Sequence, residues 1–311
     1  MSFLTKELHM MGTTITLQID HLRAEELLQE ASLMLKDFER RFNANSNDSD
    51  LMRINHSAGH NLVTVDQDLF ELIRIGKEYS IASHLNLNIA IGPLVKLWHI
   101  GFADANKPSD SSIQAALKLI QAQDIILDEE HNTVFLKHEG MEIDLGGIAK
   151  GYFADLIKSF LVKENVKHGL INLGGNVLTI GQSLTHEHGY WRIGIQKLNR
   201  NRGDILGFVE VIDQSVVTSG IYERNLVVNG RLYHHVLDSN TGYPIHSTIG
   251  SITIIADDSL TCELWTTILF HLEPQEAIQT VNNLSGIEAI IIDIKETVYL
   301  SEGIKNRFTL I

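Results

Sequence analysis

Strand-like and helix-like segments follow one another along this 311-residue chain without regular alternation, and that irregular order most limits the folds open to it. Residues 13–19 alternate as a half-buried strand does, after which Leu27, Leu28, Ala31, Met34, Leu35, Phe38 and Phe42 fall on one helical face. Residues 43–50 are a loop by composition. A second helix is predicted from Asp66 to about Ser83, and a third, capped by Asp110 and Ser111, to about Gln123. Short strands come next at 125–127 and 133–136, then at 141–145, which feeds a helix starting near Ile148. More strands are predicted at 170–173, 191–196 and 207–217, followed by a hairpin over 225–237 turned by Asn229-Gly230. Strand 251–255, helices from about Leu260 and Pro274, and strands 288–293 and 297–300 complete the order. A doubly wound sheet needs strict β-α repetition, so the expectation is an α+β fold of mixed or antiparallel sheets with packed helices.

Charge narrows the partners. The formal net charge of −14 repels nucleic acid and anionic membrane, so neither is expected as a non-specific partner, and an anionic ligand needs local neutralisation. No apolar run approaches the roughly 18 residues of a membrane span. Residues 1–7 lack an apolar core and a small-residue cleavage site, and the single cysteine, Cys262, excludes an internal disulfide. A cytoplasmic protein without a transmembrane segment is therefore expected. The length suits one domain spanning 1–311, with room for two subdomains and a ligand site in the cleft between them.

The chemistry-bearing residues cluster. Thr218-Ser219-Gly220, the run from Tyr233 to Asp238, the turn Thr241-Gly242-Tyr243-Pro244, and a helix with Glu263 and Thr267 crowd hydroxyls, imidazoles and carboxylates into about fifty residues. Upstream, Asp144-Leu145-Gly146-Gly147-Ile148-Ala149-Lys150-Gly151 reads as strand, glycine turn and helix. It either offers backbone N–H groups and the Lys150 charge to an anion, or is a tight turn with a solvated lysine. Leu170 to Asn176 reads as a buried strand and its turn, with close backbone approach the one ligand role open to it. His235 and Asp238 point to opposite faces of a strand unless the chain bends. Glu263 and Thr267, at i and i+4, either present a carboxylate and a hydroxyl to one hard cation, Mg²⁺ or Ca²⁺, or are a surface Glu and a Thr bonded back to its own helix. Cys262 reads as a small buried apolar residue.

In this order the segments resemble the FAD:protein FMN transferase family, the ApbE-like flavin transferases. The matching residues are Met11-Gly12-Thr13; Phe42 with Ser49-Asp50-Leu51 and Asn55; Gly92 to Trp98; Asp144 to Gly151 with Asp155; Asn172 to Asn176; Thr218-Ser219-Gly220 with Tyr222-Glu223-Arg224; and His235 to Pro244. The resemblance implies an enzyme that binds FAD, uses Mg²⁺, places FMN on a Thr or Ser of a motif in an acceptor flavoprotein, and releases AMP. It implies that Met11, Asn86, Leu87, Asn88, Asp144 and Lys150 contact FAD, and that His235 lies beside the diphosphate as proton acceptor, a task suited to an imidazole of pKa about 6.5. The backbone oxygen of Gly147, Glu263 and Thr267 would hold the metal. Glu263 stands where the family usually has Asp, a reach longer by about 1.5 Å. Asn88 replaces a usual Asp, and Asn45 stands against the nucleotide where many members carry an aromatic cover. These departures leave two alternatives open, an Mg²⁺-dependent FAD pyrophosphatase and a non-catalytic FAD-binding protein.

Overall fold

The computed structural model describes residues 3–82, 87–198, 203–221 and 225–311. In chain order the elements are β1 (Leu4–Met10), β2 (Thr13–Ile19), α1 (Ala24–Phe42), α2 (Asp50–His56), β3 (Val63–Thr64), α3 (Gln67–Ala82), α4 (Gly92–Trp98) and α5 (Asp110–Leu117). Next come β4 (Ile125–Asp128), β5 (Thr133–Leu136), α6 (Ala149–Lys163), β6 (Gly169–Leu173), β7 (Asn176–Ile180), β8 (Trp191–Gln196), β9 (Ile205–Val211) and β10 (Ser215–Gly220). The order ends with β11 (Asn225–Val228), β12 (Arg231–His234), β13 (Ile249–Ala256), α7 (Ser259–Leu269), α8 (Pro274–Asn282), β14 (Glu288–Asp293), β15 (Val298–Leu300) and β16 (Phe308–Leu310). Among the described residues every paired strand is antiparallel, as the α+β reading expects; the exception is an isolated parallel bridge, Ile91 with Glu142. No helix among them is long and apolar enough to cross a membrane.

The chain divides into two compact units. The first comprises Met1–Glu39, Lys150–Gly220 and Ser247–Ile311. It is built on an eight-stranded sheet of order β1-β2-β6-β7-β10-β13-β14-β15. Strand β13, a β-branched run, is buried along its whole length, which is the pattern of a central strand covered on both faces. Helix α7 packs on β10 and β13, and α1 meets α6 through stacked Phe38 and Phe153 rings, 4.7 Å between centroids. A separate sheet of order β16-β9-β8 belongs to the same unit.

The second unit comprises Arg40–Ala149 and Ile221–His246. It carries the small sheet β3-β5-β4, helices α2 to α5, and the β11–β12 hairpin. Its turn residues Asn229 and Gly230 have φ of 52° and 77°, the paired positive values that suit this dipeptide. Leu94, Trp98, Ile113, Ile120, Tyr233 and Leu237 form one apolar cluster in this unit.

Three expectations from the sequence fail for identifiable reasons. Residues 141–145 are not a regular strand: their backbone pairing with 89–91 is limited to the isolated Ile91–Glu142 bridge and to Asp144 N–H donating to Ile89 O at 2.8 Å, while at Ile143 a side chain takes over, the Asn55 amide donating to Ile143 O at 3.0 Å and accepting from Ile143 N–H at 2.8 Å. The run 207–217 is two strands, β9 and β10, broken where Asp213 adopts φ 55°. The helix from Asp110 stops at Leu117 rather than near Gln123. Strands β1, β3, β7 and β16 and the short helices α2 and α4 were not anticipated.

Candidate active site

In the first unit the sequence-predicted pair lies on α7. Asp258 caps this helix by accepting from Thr261 N–H at 2.7 Å, and Asp155 accepts from Ser259 and Leu260 N–H, both at 2.8 Å. With those amides spent on two carboxylates, the α7 N-terminus is not the anion site. Burial pushes the Asp155 carboxyl up to about 7, against the two N–H donors that favour the anion. The folded state therefore holds a proton that the unfolded chain releases, and this group's contribution to stability falls as pH rises from 3.8 towards about 7. In Asp155→Asn the melting temperature should fall less across that window than in the wild type, as a pH series of thermal melts would read.

Glu263 and Thr267 share one face of α7. Glu263 is 6 % exposed and has one oxygen engaged, Oε1, which accepts from Asn176 Nδ2 at 2.8 Å. Burial raises its pKa, opposed by the nearby Lys150 charge and by the Asn176 hydrogen bond. Thr267 is half-buried, and its hydroxyl makes no hydrogen bond among the described residues, whereas neighbouring Thr266 is bonded back to Glu263 O at 2.9 Å. The helix-surface reading of Glu263 therefore fails, and back-bonding belongs to Thr266. Cys262 is fully buried, as expected.

Gly151 explains how α6 and α7 meet. A Cβ there would stand 2.5 Å from Ser259 O and 2.7 Å from Glu263 Cγ, so bare backbone is needed for the close crossing that sets Lys150, in the first turn of α6, near Glu263. Two other resembling motifs also meet in this unit. Strand β2 pairs with β6, and a Cβ on Gly174, at φ 74°, would fall 2.2 Å from Thr13 Oγ1. Asn172 Oδ1 accepts from Gly174 and Gly175 N–H, at 3.0 and 3.1 Å, and so orders the diglycine turn.

Met11 and Gly12 make the tight β1–β2 turn, with φ of 53° and 70°. A long side chain at positive φ costs about 1–2 kcal/mol, a strain that marks functional positions more often than loops at large. Glu39 Oε1 holds the turn by accepting from Met11 N–H at 2.7 Å. Met11→Gly is expected to raise thermal stability by about 1 kcal/mol while weakening FAD binding, measured by melting curves and by equilibrium titration with FAD.

In the second unit the Asp144 to Ala149 turn is self-ordered. Asp144 Oδ1 accepts from Gly146 N–H at 2.7 Å, and Ile148 and Ala149 N–H both donate to Leu145 O. Gly146 and Gly147 are exposed. Asn88, expected to contact FAD, turns its amide inward: Nδ2 donates to Ile120 O at 2.7 Å and Oδ1 accepts from Ala90 N–H at 2.9 Å. Leu87 is buried, and Asn45 is exposed on its loop. Asn86 and the segment 222–224 lie outside the described residues.

The adjacent histidines divide. His234 is buried, with Nε2 donating to Ile245 O at 2.9 Å and Nδ1 accepting from Val236 N–H at 3.3 Å, whereas His235 is exposed. The loop that follows is pinned. Asp238 accepts from Asn240 N–H and Thr241 Oγ1, Trp98 Nε1 donates to Gly242 O at 2.8 Å, and Tyr243 OH donates to Asp110. Asp238 thus shapes the turn.

Ser49 caps α2, and Asn55 stands in for a strand neighbour at Ile143, so these two motif residues build the scaffold. Asn176, by contrast, bonds directly to Glu263, a contact that the sequence reading passed over. Its signal was a polar residue at the head of Asn-Val-Leu-Thr-Ile, an otherwise strand-like run.

Comparison with known proteins gives the family. The family model described as the ApbE family matches residues 11–291. A FAD:protein FMN transferase of Klebsiella pneumoniae is 39% identical, covering 96% of this chain and 92% of that protein; one of Treponema pallidum is 33% identical, covering 90% and 80%. The crystal structure of the ApbE protein of Thermotoga maritima superposes with a TM-score of 0.90 at 26% identity, over 98% of this chain and 99% of that one. A flavinyl transferase ApbE structure from Pseudomonas stutzeri, at 24% identity over 99% and 97% of the two chains, has the same fold with a TM-score of 0.84. The chain belongs to the ApbE family.

Proposed function

We infer that this chain is an enzyme, a FAD:protein FMN transferase that moves FMN from FAD to a Thr or Ser hydroxyl of an acceptor flavoprotein and releases AMP. One observation carries the reading to this chain's own residues: α7 sets the buried Glu263 carboxylate and the unspent Thr267 hydroxyl on one face. Oxygen donors of this kind fit Mg²⁺ and suit Zn²⁺ poorly. Glu263, Thr267 and the backbone oxygen of Gly147 are the proposed ligands. Once held there, Mg²⁺ supplies the positive charge that two phosphates need in a protein of net charge −14.

His235 takes the proton from the acceptor hydroxyl. As that oxygen bonds to the flavin-side phosphorus, the bond from this phosphorus to the bridging oxygen breaks, and AMP leaves with the bridging oxygen. Lys150 offsets phosphate charge. Met11, Asn45, Leu87, Asn88 and Asp144 hold the nucleotide, with Asn86 assigned beside them. AMP released from FAD should require Mg²⁺, stop on chelation with EDTA, and rise when acceptor is added. Release at one rate with and without acceptor would assign FAD hydrolysis instead, a reading that the exposed, non-aromatic Asn45 favours.

A further inference from the structure

Asn176 opens β7, a strand buried at all five positions, and is itself 1 % exposed. Both ends of its amide are spent. Oδ1 accepts from Ser259 Oγ at 2.6 Å, Nδ2 donates to Glu263 Oε1 at 2.8 Å, and Ser215 Oγ donates in turn to Ser259 Oγ at 2.9 Å. The donors run one way, from Ser215 through Ser259 and Asn176, and end on the carboxylate. With Glu263 ionised this direction is fixed, because a turned amide would set its carbonyl oxygen against a carboxylate oxygen.

The other side of Glu263 is also bounded. Its Cγ lies against the bare backbone of Gly151, where a Cβ would stand 2.7 Å away. The methylene is therefore held by packing and Oε1 by a hydrogen bond, while Oε2 makes no hydrogen bond among the described residues. A glutamate has one more rotatable bond than an aspartate, so a single aim for its carboxylate must be imposed from outside.

We propose that Asn176 is the positioning residue of the cation site: by holding Oε1 it directs Oε2 to the divalent ion that Thr267 also binds. The inference rests on the reading of Glu263 and Thr267 as cation ligands. Ser259 acts one step further back, by fixing which end of the Asn176 amide faces Glu263.

The test is the dissociation constant of Mn²⁺, followed by its electron paramagnetic resonance signal without FAD or turnover, for wild type, Asn176→Ala, Ser259→Ala, Glu263→Asp, Glu263→Ala and the double variant Asn176→Ala/Glu263→Asp. Asn176→Ala should weaken Mn²⁺ by about 10- to 100-fold, the usual cost of removing a partner that orients a ligand. In the Glu263→Asp background, where the shorter carboxylate no longer reaches Asn176, the same change should weaken Mn²⁺ less than twofold. A merely structural role for Asn176 would give equal losses in both backgrounds, and that result overturns the proposal. Wild-type affinity in Asn176→Ala overturns it too, with Glu263 still a ligand. Equal Mn²⁺ binding by wild type and Glu263→Ala overturns the ligand reading and this inference with it. If Asn176→Ala does not fold, Ser259→Ala decides: severalfold weakening supports the proposal, and unchanged affinity overturns it.

Discussion

Glu263→Ala should lower AMP release from FAD by roughly a thousandfold, the rate equivalent of about 4 kcal/mol of lost transition-state stabilisation. The same change strands the Asn176 amide in the interior, so a stability loss of about 1–3 kcal/mol should accompany it. Thr267→Ala separates the two effects. Its hydroxyl makes no hydrogen bond among the described residues, so removing it breaks no hydrogen bond among them. Thr267→Ala should melt with the wild type while its AMP release drops by about 10- to 100-fold, within the range seen when metal coordination is perturbed. A Thr267→Ala enzyme of wild-type activity would remove Thr267 from the cation site.

Gly151→Ala should reverse the usual sign of a helical Gly→Ala change. In an ordinary helix interior the alanine stabilises by about 1 kcal/mol. Here the new methyl meets Ser259 O at 2.5 Å and Glu263 Cγ at 2.7 Å. The first of these is backbone at the start of α7, so α6 and α7 must move apart. Overpacking of this kind costs about 1–3 kcal/mol and outweighs the propensity gain, so thermal melts should show a fall of several degrees. Because Glu263 is displaced in the same step, AMP release should fall as well. A more stable, fully active Gly151→Ala protein would contradict the close α6–α7 crossing.

The fold was legible where sequence patterns act locally. The 3.6-residue stripe from Leu27 to Phe42 gave α1, and Asn229-Gly230 gave the β11–β12 hairpin with both φ values positive. It was illegible where a distant side chain replaces a backbone partner. Residues 141–145 read as a strand, but Asn55, far away in sequence, supplies both hydrogen bonds of Ile143 in their middle, and no local pattern reports that. Strand β7 escaped because its leading Asn176 resembles a turn residue after two glycines.

The candidate site divides the same way. Glu263 and Thr267 were readable because i, i+4 spacing fixes a shared face. His235 could be singled out only through the resemblance; the structure adds that its neighbour His234 is buried and bonded to Ile245 O and Val236 N–H, whereas His235 is exposed. Asp144 and Asn88 carried chemical promise in the sequence, yet each spends side-chain atoms on ordering its own turn. Which oxygen of Glu263 stays free depends on Asn176, 87 positions away.

The transfer reaction itself is tested most directly by intact-protein mass spectrometry. The flavoprotein products of neighbouring genes would be incubated with this chain, FAD and Mg²⁺, beside a Glu263→Ala control. An FMN adduct on a Thr or Ser of the acceptor, formed with AMP in equal amount and absent from the control, is the expected result. AMP formed at the same rate without any acceptor, with no acceptor gaining the FMN mass, would contradict transfer and leave hydrolysis in its place.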